Sequence, residues 1–220
     1  MNDQEYAEFG KGRFDTLSRS KLARIVRDSG QSILDVGCGP GVYLKALKET
    51  GHIVAGVDAN PIFVEQARQV SQNVWQTDLD AEFLRAFKDA SFDTVLMLDI
   101  LEHIEHDREL LQDAKRVCRQ NVILTVPARM PESMEGSQLV FGAYMDPTHR
   151  RYYSAEDLSA VLDDSGYAKQ KIEVALRFEP ISYMLFPCYL REPLSVLNRA
   201  LLKISDPRLF ATVWYAVGYK

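Results

Sequence analysis

Apolar residues along the first half of the chain fall into short runs separated by stretches of helical spacing. Ser32 to Val36 is apolar apart from Asp35, and Val42, Leu44 and Leu47 then recur at helical intervals. Ile53 to Val57 forms the next run and closes on Asp58. Asn60-Pro61 then supplies an N-cap and a first-turn proline for a helix through Val70. Further strands are predicted at Asn73 to Gln76, Phe92 to Leu98 and Asn121 to Val126. Between the last two, a helix carries Leu110, Leu111, Ala114, Val117 and Cys118 on one face. Before them Leu22, Ile25 and Val26 share a face of a helical lead-in that ends near Gly30. This alternation predicts an α/β fold with a doubly wound parallel sheet covered on both faces.

Beyond Pro127 the periodicity is lost until Ser154-Ala155-Glu156-Asp157, a capping-box-like start for a helix ending at Gly166. Ile172, Val174, Leu176 and Phe178 alternate with Lys171, Glu173, Ala175 and Arg177, the period of an edge strand with one wetter face. Without repeats or linkers, residues 1–220 are expected to form a single domain: a lead-in over 1–30, a core over 31–179, a helical insertion over 180–207 with Leu194, Leu197, Leu201 and Leu202 on one side, and a final strand over 210–219.

Composition narrows the class. A chain of 220 residues with 46% hydrophobic content supports one substantial core. The net charge of -5 gives no global attraction to nucleic acid or an anionic membrane, and Arg150-Arg151 is only a local basic pair. Cys38, Cys118 and Cys188 have neither disulfide-framework nor zinc spacing, and Met1 to Glu5 lacks the basic flank and apolar run of a signal peptide. A cytoplasmic setting is therefore expected. The apolar stretch Ile181 to Leu190 is too short to span a bilayer.

The candidate chemistry begins at Asp35-Val36-Gly37-Cys38-Gly39-Pro40-Gly41, where three alternate glycines stand at a strand-to-helix turn. Such a turn bends tightly and lets a nucleotide approach the amides at the helix start. Val42 stands where a dinucleotide fingerprint would need glycine, which argues against an NAD-dependent oxidoreductase. Asp58, about twenty residues on, is placed to accept bonds from ribose hydroxyls, with helix capping as its alternative role. Asp78 follows the third strand at the carboxyl edge, where ligands of open α/β sheets collect.

These residues, with Thr77-Asp78, Phe92-Asp93-Thr94-Val95 and Leu101-Glu102-His103, resemble class I S-adenosylmethionine-dependent methyltransferases over Ile33 to Pro127. Thr148 to Ser154 and Gly166-Tyr167 also resemble the later part of small-molecule members of that family. The resemblance implies a Rossmann-like, seven-stranded, mostly parallel sheet with an antiparallel C-terminal strand, and S-adenosyl-L-methionine as cofactor. It places Gly37, Gly39 and Gly41 around the methionine part, Asp58 at the ribose and Asp78 at the adenine. Asp99 falls near the methionine end or the acceptor, and Asp35, Cys38, Ala59 and Leu79 complete the implied cofactor set. Residues 180–207 exceed the short hairpin usual in such families, so a lid, a dimer contact, a membrane-surface contact and extra core cover all stay open for them.

Methyl transfer is an in-line displacement that mainly requires alignment of nucleophile and methyl carbon. An oxygen acceptor also gains from a base, for which His149 and His103 are the candidates and His106 the weaker third. Asp99, Glu102, His103 and His149 have ligand types suited to magnesium or manganese. They resemble a variant of the metal site of small-RNA 2′-O-methyltransferases, but the same Leu-Glu-His string occurs widely in members that use no metal, and no metal is assigned. The expected acceptor is a small molecule or glycan, through oxygen. A lipid-linked or quinone-like molecule and an RNA 2′-hydroxyl are the alternatives, and a catalytically silent cofactor-binding domain is the non-enzyme reading. The pattern gives no oligomeric state.

Overall fold

The computed structural model describes residues 4–5, 17–79, 83–130, 144, 146–177 and 211–220. From Arg19 the order is α1 (Arg19–Asp28), β1 (Ser32–Val36), α2 (Val42–Glu49), β2 (Ile53–Asp58), α3 (Pro61–Arg68), β3 (Val74–Gln76), β4 (Phe92–Leu98), α4 (Asp107–Val117), β5 (Cys118–Pro127), α5 (Ala155–Asp164), β6 (Lys169–Arg177) and β7 (Ala211–Tyr219). Short 3-10 turns at Phe83–Ala86 and Leu101–His103 follow β3 and β4.

The strands form one sheet of order β3-β2-β1-β4-β5-β7-β6. β1 to β5 pair in parallel, and β7 runs antiparallel to both β5 and β6. The order reverses between β1 and β4, so a crevice opens beyond their carboxyl ends, where α/β sheets bind ligands. The central strands are buried on both faces, with Ile33, Leu34, Val36, Val95, Leu96 and Met97 all at 0% exposure, and the sheet separates two apolar clusters. The side chain of Asn60 accepts the amides of Ile62 and Phe63, and Ser154 and Asp157 close a reciprocal capping box, so both helix starts read from the sequence form as expected.

Three readings need correction. Cys118 does not extend the face of α4 but opens β5, three residues before the strand start the pattern predicted. The helix expected through Val70 ends at Arg68, capped by Gln69. The strict alternation in β6 fails at Leu176, whose side chain is 51% exposed, because the register against β7 slips between Val174 and Leu176. Phe178, the helical insertion over 180–207 with its membrane-surface role, and Phe210 lie outside the described residues. Among the described residues, no helix is long and apolar enough to cross a membrane.

Candidate active site

A cavity of about 500 Å³ opens at the switch point between β1 and β4. The glycine loop forms its floor. Gly37 and Gly39 have φ of +72° and +53°, and a Cβ on Gly37 would meet the Ile100 side chain at 2.1 Å, so any other residue there is strained and displaces Ile100. The Gly37 and Cys38 amides donate to the Val57 carbonyl, which ties the loop to β2. Gly41, at φ +87°, turns away from the cavity and lies against the backbone of Ala67, so its role is close packing of α2 on α3.

Asp58 ends β2 beside this loop. Its Oδ2 accepts the Gly39 amide at 2.8 Å and its Oδ1 the Asn60 amide at 2.9 Å. Burial raises its pKa, and those backbone donors oppose the rise. Asp35 is more deeply placed, and burial followed by the charge of Asp58 pushes it up to about 8. Cys38 lines the cavity and its thiol packs over Gly56, while Ala59, Asp78 and Leu79 complete the wall beyond β2 and β3. All the sequence-derived cofactor positions except Gly41 therefore border one cavity.

Asp99 follows β4 in the left-handed region, at φ +56°, a strained conformation for a residue with a side chain. Its amide donates to the Thr125 carbonyl at 2.9 Å, and the Thr125 hydroxyl donates to Asp99 Oδ1 at 2.9 Å. Its Oδ2 accepts the Lys21 ammonium at 2.9 Å. Burial would raise the Asp99 carboxyl, but Lys21 outweighs it and holds the group ionised. Lys21 is a site residue that the sequence reading missed. Only the amphipathic spacing of α1 was visible there, and that does not say that its polar face closes a cavity.

On the same cavity, His103 and His149 meet edge to face with ring centroids 4.7 Å apart. His149 arrives on the segment after Asp146, fastened by the Arg150 amide to the Glu102 carbonyl at 2.9 Å. His103 Nδ1 lies 3.1 Å from the Thr148 hydroxyl and 3.3 Å from the Thr148 carbonyl; the hydroxyl donates to Asp146 and the carbonyl can only accept, an arrangement that favours the proton on Nδ1 and leaves Nε2 as the basic nitrogen. Burial, then the neighbouring His149, lowers the His103 pKa. His106 caps α4 in solvent, with 64% of its side chain exposed, and does not line the cavity.

The sequence offered Glu102 as one of four possible metal ligands, with Asp99, His103 and His149. It is 0% exposed, and neither of its carboxylate oxygens has a hydrogen-bond partner. Burial, with Asp99 adding to it, raises its pKa well above the usual range. Its Oε1 lies 3.9 Å from His149 Nε2, whose Nδ1 is likewise buried without a partner. One ligand atom each from Glu102, His103 and His149 fall within 4.8 Å of one another.

Residues 34–126 match the model of a methyltransferase domain. Over 166 residues, the chain is 25% identical to a ubiquinone biosynthesis O-methyltransferase of Pseudomonas paraeruginosa, covering 70% of this chain and 71% of that protein. The fold superposes on a SAM-dependent methyltransferase from Archaeoglobus fulgidus with a TM-score of 0.70 at 24% identity, covering 98% and 99% of the two chains. Residues 34–126 are thus a methyltransferase domain, and the seven-stranded sheet has the class I methyltransferase fold. This methyltransferase also shares its fold with a phosphoethanolamine N-methyltransferase of Haemonchus contortus solved with S-adenosyl-L-methionine, at a TM-score of 0.59, 18% identity and coverage of 92% and 53%. S-adenosylmethionine is its cofactor, and the glycine loop with the carboxylates beside it borders the cavity at the switch point.

Proposed function

We propose that this methyltransferase transfers a methyl group to a hydroxyl oxygen of a small molecule, with His103 as the base and His149 as its support. The observation that carries the reading is the imidazole pair on the wall of the cavity that the glycine loop also lines, with burial and His149 favouring a neutral His103 and Nε2 left as its basic nitrogen. An amine acceptor attacks with its own lone pair and needs little help, whereas a hydroxyl must lose a proton as the new bond forms. The name of the Pseudomonas relative supports an oxygen acceptor and favours the quinone-like class over a glycan. The decisive assay supplies labelled S-adenosylmethionine with hydroxylated aromatic, glycan and amine acceptors. Methylation of a hydroxyl that falls at least about a hundredfold in H103A, with cofactor binding intact, supports the reading. Preferred methylation of amines overturns it.

A second reading of the same wall is favoured by the unpartnered Glu102 oxygens and His149 Nδ1. An unpaired buried carboxylate is costly, and a divalent cation held by Glu102, His103 and His149 would satisfy it. When bound, such a cation would lower the pKa of an acceptor hydroxyl, leaving alignment to the protein. Turnover that survives exhaustive chelation, in a protein whose melting temperature does not respond to magnesium or manganese, excludes it.

A further inference from the structure

The segment that carries His149 also reaches His103. Asp146-Pro147-Thr148-His149 forms a turn in which the His149 amide donates to the Asp146 carbonyl at 3.3 Å, and proline at the second position presets the backbone for it. The Asp146 side chain lines the cavity and closes the same turn from within. Its Oδ1 accepts the Thr148 amide at 3.0 Å and the Thr148 hydroxyl at 2.5 Å. Burial would raise that carboxyl, but the Thr148 donors lead the effects that outweigh it and keep it ionised. On its other side the Thr148 hydroxyl oxygen lies 3.1 Å from His103 Nδ1. A hydroxyl has one proton to give. With that proton committed to a carboxylate, which only accepts, the Thr148 oxygen is left to accept from His103.

We propose that Asp146, acting through the Thr148 hydroxyl, is the positioning residue of His103: it holds the ring proton on Nδ1, leaves Nε2 to take the acceptor's proton, and supplies the charge that offsets the imidazolium. The proposal rests on the reading of His103 as the base. As the acceptor oxygen exchanges its hydrogen for the methyl carbon, the electron pair of the broken carbon–sulfur bond stays on sulfur and the proton goes to Nε2. The ring is then a cation, and the Asp146 carboxylate behind Thr148 stands where an aspartate stands beside a catalytic histidine, with one hydroxyl interposed. Asp146 Oδ2 lies 3.8 Å from His149 Nε2, too far for a hydrogen bond, so the link from Asp146 to the imidazole pair runs through Thr148. The Thr148 carbonyl, 3.3 Å from Nδ1, also accepts, but it carries no charge to set against the imidazolium. Closure of the turn would be served by the Thr148 amide alone. The hydroxyl shared between Asp146 and His103 is what a structural turn does not require.

Nitrogen-15 NMR of the full chain, without acceptor, reads the tautomer, with the His103 signals assigned by their loss in His103→Gln. The wild type is expected to show Nδ1 protonated and Nε2 bare. Asp146→Ala releases the Thr148 hydroxyl proton to point at Nδ1, so the Nε2-protonated ring should appear, whereas Asp146→Asn, whose amide oxygen still accepts, should keep the wild-type pattern. In the labelled S-adenosylmethionine assay Asp146→Ala should lose about tenfold or more in kcat, the value of one hydrogen bond to a charged group, with KM for S-adenosylmethionine little changed. Thr148→Val keeps the amide that closes the turn and removes only the link; it should lose a similar factor, and Thr148→Ser should restore it. An unchanged tautomer in Asp146→Ala, an undiminished kcat in Thr148→Val, or a loss in Asp146→Ala that lies in KM alone overturns the proposal. The two kinds of failure separate: turnover undiminished in His103→Ala overturns the base reading itself, while turnover lost in His103→Ala but kept in Thr148→Val overturns only the role of Asp146.

Discussion

Asp58 accepts the Gly39 amide at 2.8 Å, so the side chain that ends β2 fixes the glycine loop before any ligand arrives. The helix-capping duty falls to Asn60, two residues on, which leaves the Asp58 carboxylate at the cavity wall. Asp58→Ala removes both the loop's acceptor and the anion facing the ligand. S-adenosylhomocysteine affinity should fall by about 150-fold or more, at two hydrogen bonds to a charged group, while Asp58→Asn keeps part of it. Calorimetry on the two variants checks the order.

Asp35 gives the pH dependence. Its carboxyl is pushed up to about 8, by burial first and by Asp58 second. In the empty site it therefore holds its proton at neutral pH, and a cationic ligand favours the ionised form. Affinity for S-adenosylmethionine should rise from pH 6 and level off above about 8, with protons released on binding. The sign for stability is opposite. An unfolded aspartate ionises near pH 4, so the ligand-free protein loses stability as pH climbs from there toward 8. Asp35→Asn should flatten both trends, read from binding and from melting curves across that range.

Much of the fold was legible because strand and helix periods alternate cleanly up to Val126, and because Asn60-Pro61 and Ser154-Ala155-Glu156-Asp157 announce their helices. The glycine loop and Asp58 were legible for a different reason: tight turns and ribose recognition demand those residue types at fixed spacing. Lys21, the buried isolation of the Glu102 carboxylate and the strain at Asp99 were not. Each depends on which elements meet in space: α1 against the end of β4, and the 146–153 segment over the turn at Leu101–His103. Gly56 was passed over as a strand residue, although a Cβ there would meet the Cys38 sulfur at 2.8 Å. Sequence period reports which face a residue occupies, not what the opposite face brings.

Gly41 separates packing from binding. At φ +87° any other residue is strained, and a Cβ would lie 3.1 Å from the Ala67 Cα, a backbone atom that cannot swing aside. Gly41→Ala should cost about 1–2 kcal/mol from the conformation alone, with the contact adding to it. A fall in melting temperature of several degrees follows for a chain of this size. Because Gly41 faces α3 and not the cavity, S-adenosylhomocysteine affinity in the folded variant should change little. Gly37→Ala, whose Cβ would meet Ile100 at the cavity, should instead damage binding.

Asp107 offers the converse case, a residue remote from the cofactor that controls the imidazole pair. Only 3% exposed at the start of α4, it receives the Tyr153 hydroxyl at 2.9 Å and pairs with Arg151 at 2.5 Å. Those two partners lie just after His149, and the Trp214 indole donates to the Tyr153 carbonyl, so the segment is stitched to α4 on one side and β7 on the other. Asp107→Ala leaves the buried Tyr153 hydroxyl without its partner and releases the half-buried Arg151 guanidinium, a loss of about 2–3 kcal/mol. The melting temperature should drop by roughly 4–12 °C at the usual 2–4 °C per kcal/mol for this length. Below that transition the glycine loop is untouched, so cofactor binding persists while turnover falls with the misplaced His149. Parallel loss of binding and turnover in the folded variant would show that the 146–153 segment supports the cofactor site itself.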